Sequence, residues 1–211
     1  DLIRVPHKTA LQKAIIGHLH IMLTLVAVAI TLIVGRWMKF QGILHRVAMP
    51  LMIVGTIIIT FGALSVVWLP WAHTTIYFGS VFVMFSALLY VIYTWDKLIK
   101  DGTADIEKPT FGQKMGALLR DPLKFGPGWQ MVFMNFTVSG VGIFMAVKLD
   151  EIFRVWPHRE ERITLTGHWH ILAALIATII IFYYMDLSKV EGKKRKWAGW
   201  TIIIMSDLAF A

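Results

Sequence analysis

Two four-residue stretches carry most of the chemistry in this sequence. Gly17-His18-Leu19-His20 and Gly167-His168-Trp169-His170 each stand at the head of an apolar run. Ionisable side chains are rare in such runs because stripping their water is costly. Imidazole bears that cost best, since its pKa near 6.5 keeps the neutral form accessible. Residues two apart on a helix lie about 200° apart around its axis. Neither pair is placed to grip one ion from an unbroken helix, which would favour a spacing of three or four. Each pair instead offers one imidazole to each of two sites flanking its helix. His18, His20, His168 and His170 are therefore candidate ligands for a metal or a metal-bearing cofactor. Gly17 and Gly167 have no side chain, which lets a flat, bulky group approach the backbone closely.

The elements that position these histidines read as membrane helices. The chain has 211 residues, of which 57% are hydrophobic and 16% charged, and its mean hydropathy is +0.65. Soluble domains carry about 25% charged residues. The apolar residues gather in blocks of roughly twenty, the length that crosses about 30 Å of hydrocarbon as a helix. The blocks lack the polar residues at helical spacing that a soluble bundle would show. The expected fold is an all-α integral membrane protein with six transmembrane helices in this chain. Their expected ranges are 11–34, 44–69, 74–95, 129–147, 165–184 and one from Trp197 onward. Pro50 falls near the start of the second. The polar stretch 96–128 carries much of the Pro and Gly punctuation, and within it residues 111–119 read as a short interfacial helix. The N-terminus has no signal-peptide pattern.

Lysines and arginines set the orientation. Fourteen of the 21 fall in loops on one side, including Arg36, Lys39, Arg46, Lys124 and the run Lys193-Lys194-Arg195-Lys196. That side is expected to be cytoplasmic in a cell inner or plasma membrane. Trp129, Trp156 and Trp197 are placed at helix ends, as interfacial aromatics. Seven of the eight histidines, all but His45, then lie at or near the extracytoplasmic face. The net charge of +8 is explained by topology, so nucleic acid is not an expected partner. With no cysteine, disulfides, Cys-ligated clusters, thiolate haem ligation and covalent c-type haem are excluded within this chain.

A shift of 150 residues lays Gly17, His18 and His20 on Gly167, His168 and His170. It also pairs Ile21 with Ile171, Leu25 with Leu175, Gly42 with Gly192 and Ile53 with Ile203. Residues 1–150 read as a first four-helix unit and 151–211 as the start of a second. The expected whole is an eight-helix pair of four-helix repeats related by an axis along the membrane normal, with the sequence continuing past Ala211.

Haem b suits these features. Low-spin haem iron takes one neutral imidazole on each face, commonly from different helices, and the macrocycle fills the space between them. The other ring N–H is satisfied by a carbonyl or water. Gly-His-Leu-His and Gly-His-Trp-His resemble the His-x-His pair of the haem-copper oxidase catalytic-subunit superfamily. In that family one helix near the outer face gives one imidazole to a low-spin haem and its neighbour to a high-spin haem. This chain has two such pairs and no His-His dipeptide, which the family's copper site requires. The resemblance implies helices that each serve two haems, and a role in electron transfer.

The resulting expectation is a membrane electron-transfer subunit binding two or more haems b, with quinol or quinone and an outer-face cytochrome c or other redox subunit as partners. His73 is a further candidate axial ligand. His7 and His158 are read as surface residues, His158 in a loop. Asp207, about ten residues into the last helix, is a candidate for a proton pathway. The small polar stretch 135–142 reads as a packing surface. Two other classes fit in part: a copper or non-haem metal membrane oxidase, and a proton-coupled transporter.

Overall fold

A computed structural model describes residues 9–69, 71–133 and 158–210. These residues form seven helices: α1 (Ala10–Trp37), α2 (Ile43–Ser65), α3 (Ala72–Gly102), α4 (Phe111–Leu118), α5 (Pro122–Phe133), α6 (His158–Leu187) and α7 (Gly192–Phe210). Four segments are long and apolar enough to cross a membrane: Lys13–Trp37, Ile43–Ser65, Thr74–Gly102 and Trp169–Leu187. Their mean hydropathies run from 1.9 to 2.2. No strand occurs among the described residues. The stretch 135–142, most of the expected fourth span, His7 and Trp156 lie outside them.

Several boundaries differ from the expectation. α3 continues past its apolar run to Gly102. Lys100 and Asp96 pair at 2.7 Å one turn apart, which supports helix where composition suggests loop. α5 begins at Pro122 rather than Trp129. Pro122 sits at the first helical position, where its missing N–H is no loss, and the Asp121 carboxylate accepts from the Leu123 N–H at 3.2 Å. Trp129 therefore stands inside a helix. α6 starts at His158, so that residue is helical and not in a loop. α7 starts at Gly192, taking up the whole basic run. The short helix α4 forms where expected. Thr110 and Gln113 close a reciprocal capping box at its start, satisfying two N–H groups that the helix leaves open.

α2 and α3 pack most extensively, and the close approach is backbone to backbone. A Cβ on Gly55 would meet the Gly79 carbonyl oxygen at 2.7 Å, and a Cβ on Gly79 would meet the Gly55 carbonyl oxygen at 2.7 Å. Small residues allow such contact where the surrounding medium gives no hydrophobic drive to associate. α1 packs on α2, α5 on α3 and α6, and α6 returns to α1, while α7 lies against α5 and α6. One core cluster joins Ile30 and Val34 of α1, Met52 of α2, Tyr90 of α3, Leu123 of α5 and Leu175 and Phe182 of α6. Outside it, Ile53, Ile57, Phe61 and Leu64 of α2 and Phe78, Val81 and Phe85 of α3 are exposed. They recur at three- and four-residue steps, so each helix presents an oily stripe outward. Stripes of this size are compatible with contact to lipid hydrocarbon.

The helix ends near residues 37 and 187 meet. The Trp37 indole donates to the Asp186 carboxylate at 2.7 Å and stands edge-on to Tyr183 at 5.4 Å. Two packed helices with their C-terminal ends together run parallel, so α1 and α6 share a direction. Asp186 also pairs with Arg195 at 2.6 Å, and Arg195 forks onto both carboxylate oxygens of Asp121 at 2.9 and 2.7 Å. Burial acts against the guanidinium's charge, but hydrogen bonds and attraction from Asp121 and Asp186 outweigh it and raise its pKa above the usual arginine value. It stays cationic at any pH below that range.

The turns after α1 and α6 have the same backbone. Lys39 and Lys189 adopt φ of 56° and 51°, and Gly42 and Gly192 adopt 82° and 64°. The N–H groups of residues 38, 39 and 40 donate to carbonyls 34, 36 and 35, and those of 188, 189 and 190 to 184, 186 and 185. Each helix thus ends on a left-handed lysine with the paired return bonds of a Schellman-type cap.

Two substitutions test this framework. Gly79→Leu forces α2 from α3 and should cost about 1–3 kcal/mol, read as a lowered thermal midpoint by circular dichroism in detergent. Gly112→Ala, where a Cβ meets nothing within 4 Å, should leave the midpoint unchanged or raise it. Arg195→Leu should cost roughly 1.5–3 kcal/mol by leaving two part-buried carboxylates without their cationic partner, and Arg195→Lys should recover only part of that, because an ammonium cannot fork onto both oxygens of Asp121.

Candidate functional site

The parallel pairing of α1 and α6 sets the height of the histidines. Trp37 lies nineteen residues past His18, and its partner Asp186 lies eighteen past His168. At 1.5 Å per residue the two motifs stand about 28 and 27 Å above the shared anchor. They occupy the same level at the end of the bundle opposite the basic turns. In α6 the motif begins ten residues into the helix but at the head of its apolar segment, Trp169–Leu187.

The start of α3 reaches this level too. A Cβ at Gly62 of α2 would meet the Ala72 carbonyl oxygen at 2.9 Å, and Gly17 of α1 lies against the carbonyl of the adjacent Ala63. Ile21, Ile59, Ala63 and Ile76 close a small apolar cluster just below. The backbone at His73 in the first turn of α3 is thus at the height of Gly17.

Helical register separates the two members of each pair. Gly17 and Ile21 face α2. At about 100° per residue, His18 falls roughly 80° to one side of that contact and His20 roughly 80° to the other. His20, Ala27 and Val34 are seven apart; Val34 is fully buried, Ala27 and His20 half-buried. His18, Leu25 and Leu32, also seven apart, are all exposed. On α6, position 168 shares its stripe with Leu175 and Phe182, both fully buried. His170 shares the opposite stripe with Ala177 and Tyr184, and all three are exposed. Each helix therefore carries one histidine position in line with the bundle interior, 20 on α1 and 168 on α6, and one in line with the outside, 18 and 170. The two histidine positions of one motif thus fall on different stripes of their helix, as the two-residue spacing requires.

The glycines differ. The space left by Gly17 is filled by the α2 backbone and by Val66, so in this structure Gly17 serves helix packing. At Gly167 a Cβ would meet nothing within 4 Å, which leaves that backbone approachable. Among the described residues, no three His, Asp or Glu side chains gather closely enough to hold one ion. His45 stands at the other end of the bundle, edge-on to Phe40 at 5.4 Å.

No protein-family model, curated protein or solved structure matches this chain. Its chemistry rests on its own residues.

Asp207 lies fifteen residues past the start of α7. Its carboxylate accepts from the Trp129 indole at 2.9 and 3.2 Å. One residue later on α5 and one earlier on α7, the Gln130 amide donates to the Ser206 hydroxyl at 2.7 Å, which donates to the Ile203 carbonyl at 2.9 Å. This ladder ties α5 to α7 and gives Asp207 a structural partner that its sequence position alone does not reveal. The Arg195 node was equally hidden. Its trace in the sequence is an aspartate, Asp186, at the end of an oily run and nine residues before Arg195.

If the indole–carboxylate bond holds α7 in place, Asp207→Asn keeps an acceptor and should change unfolding free energy by less than about 1 kcal/mol, while Asp207→Ala should cost roughly 1.5–3 kcal/mol. Thermal unfolding of both variants in detergent checks the difference.

Proposed function

We propose that this chain is an integral membrane electron-transfer subunit, a cytochrome b that holds two or more haems through its Gly-His-x-His helices near the extracytoplasmic face. The observation that carries the reading is the parallel pairing of α1 and α6, with both motifs at one level and one histidine position of each on the interior stripe. His20 and His168 are assigned as the axial pair of a haem between α1 and α6. His18 and His170 are assigned to sites on the outer flanks, where a further helix completes the ligation, and His73 is the additional candidate at the start of α3. The donor set fits haem. Two neutral imidazoles from different helices suffice for its iron.

When bound, haem supplies one-electron transfer at iron. The chain's part is to hold the imidazoles neutral, fix their spacing and exclude water with the surrounding apolar side chains. Quinol or quinone in the bilayer and an outer-face cytochrome c or other redox subunit are the proposed exchange partners. Six spans are proposed for this chain, in two four-helix repeats of which 151–211 opens the second. The matching turns at Lys39–Gly42 and Lys189–Gly192 support that division, and the basic turns are proposed to be cytoplasmic.

The purified protein should be red, with a Soret band and a sharp α band on reduction. His20→Ala and His168→Ala should each remove the same share of haem by pyridine haemochrome assay, while His18→Ala should leave that share bound. A colourless protein carrying copper would move the assignment to a metal oxidase, and one without metal or haem would move it to a proton-coupled transporter.

A further inference from the structure

A second site lies at the opposite end of the bundle. A cleft of about 640 Å³ opens where the end of α3, the end of α4, the start of α5 and the start of α7 meet. Its charged lining is Asp101, Arg120, Asp121, Lys124, Lys193, Arg195 and Lys196. Asp121 is committed to Arg195 through two hydrogen bonds. Four cations remain, Arg120, Lys124, Lys193 and Lys196, facing one carboxylate, Asp101. None of the four makes a side-chain ion pair within the described residues. Lys124 is half-buried, so part of its side chain is drawn from water without a counter-charge. A concave surface that gathers like charges in this way is complementary to an anion.

The surroundings say which anion. Gly102, on the cleft wall, is also the last residue of an apolar span. α4 exposes Phe111, 79% accessible, and Met115 one turn on. Trp197, 74% accessible, follows Lys196 directly. Amphipathic short helices and exposed tryptophan beside lysine are features of the interface between headgroups and hydrocarbon. Basic pockets between helix ends at that depth hold anionic headgroups.

We infer that this cleft binds the phosphate headgroup of an anionic phospholipid in the leaflet on the basic face. Arg120, Lys193 and Lys196 contact the phosphate from the exposed rim, Lys124 from the wall, and the acyl chains lie along α4 and Trp197. The Arg195–Asp121 pair forms the floor and fixes the angle between α5 and α7, so the lipid also braces the end of the bundle that sets the height of the histidines. The site is independent of haem.

The test uses the full chain, stripped of lipid in a neutral detergent and titrated with short-chain phosphatidylglycerol, with bound lipid counted by native mass spectrometry. One phosphatidylglycerol should be retained in preference to phosphatidylcholine. The triple variant R120Q/K193Q/K196Q should weaken retention by at least about tenfold, while K108Q/K114Q/K194Q, with the same charge change outside the cleft, should weaken it by less than about twofold. Should the cleft variant fail to fold, Lys193→Glu alone makes the same comparison against Lys194→Glu. Equal retention of phosphatidylcholine, or equal loss in the two triple variants, would overturn the proposal. Full displacement of the lipid by millimolar inorganic phosphate would also overturn it, by giving the cleft to a free anion.

Discussion

The Arg195 guanidinium fixes the relation between the two halves of the structure. It stands in the first turn of α7, forks onto the cap of α5 at Asp121 and reaches the last turn of α6 at Asp186. Asp186 in turn accepts from Trp37 at the end of α1. Four helix ends converge on one charge-assisted network, part-buried so that its bonds are less screened than on an open surface. Once the basic ends of α1 and α6 are fixed to one another, the rise per residue carries that register upward, and two motifs 150 residues apart in sequence arrive at one height.

Four helices between these ends are long and apolar enough to cross a membrane. A bilayer core offers backbone groups no water, and helices, which satisfy those groups internally, are compatible with it. Association between such helices depends on close contact and on polar bonds, and both are present. Gly55 and Gly79 bring α2 and α3 together, while Gln130–Ser206 and Trp129–Asp207 join α5 and α7. Gly17 belongs with the first kind. Next to a histidine it invites a cofactor reading, yet the α2 carbonyl at Ala63 occupies its space. Gly167 keeps its space open, so the two motifs are alike in letters and unlike in surroundings.

The sequence made the apolar helices legible because hydrophobic runs report their own length. It made the histidine pairs legible because an ionisable group in such a run needs a reason. It was a poor guide to helix ends. Charge at Lys97, Lys100 and Asp101 suggests a loop, but the end of α3 is sustained by the Asp96–Lys100 pair. The run Gly192-Lys193-Lys194-Arg195-Lys196 looks like a loop between spans, yet it is the first turn of α7. There one arginine finds two carboxylates from elements 74 and 9 residues away. Hydropathy cannot register such pairings, since they depend on which helices become neighbours. The division of each histidine pair into an inward and an outward position is also a tertiary fact, but heptad steps from buried residues would have found it had the buried face been known.

The two matching turns show how one local design serves two ends. Lys39 and Lys189 share a left-handed conformation, Gly42 and Gly192 share a positive φ, and the return hydrogen bonds coincide. The charges around the turns do not. Positions 36 and 45 on the first turn are arginine and histidine, while the matching positions 186 and 195 on the second are aspartate and arginine. Only the second turn can bridge its own flanks, as Asp186 does with Arg195 at 2.6 Å. Asp186 also receives the indole of Trp37 from the first. A common backbone thus carries complementary side chains. The first turn presents a hydrogen-bond donor and the second an acceptor held in place by its own arginine. Were position 186 to carry an arginine as position 36 does, the Trp37 indole would lose the acceptor that joins α1 to α6. The difference in charge, set on the same fold of the chain, is what lets one hairpin recognise the other and holds the histidine positions at a common level.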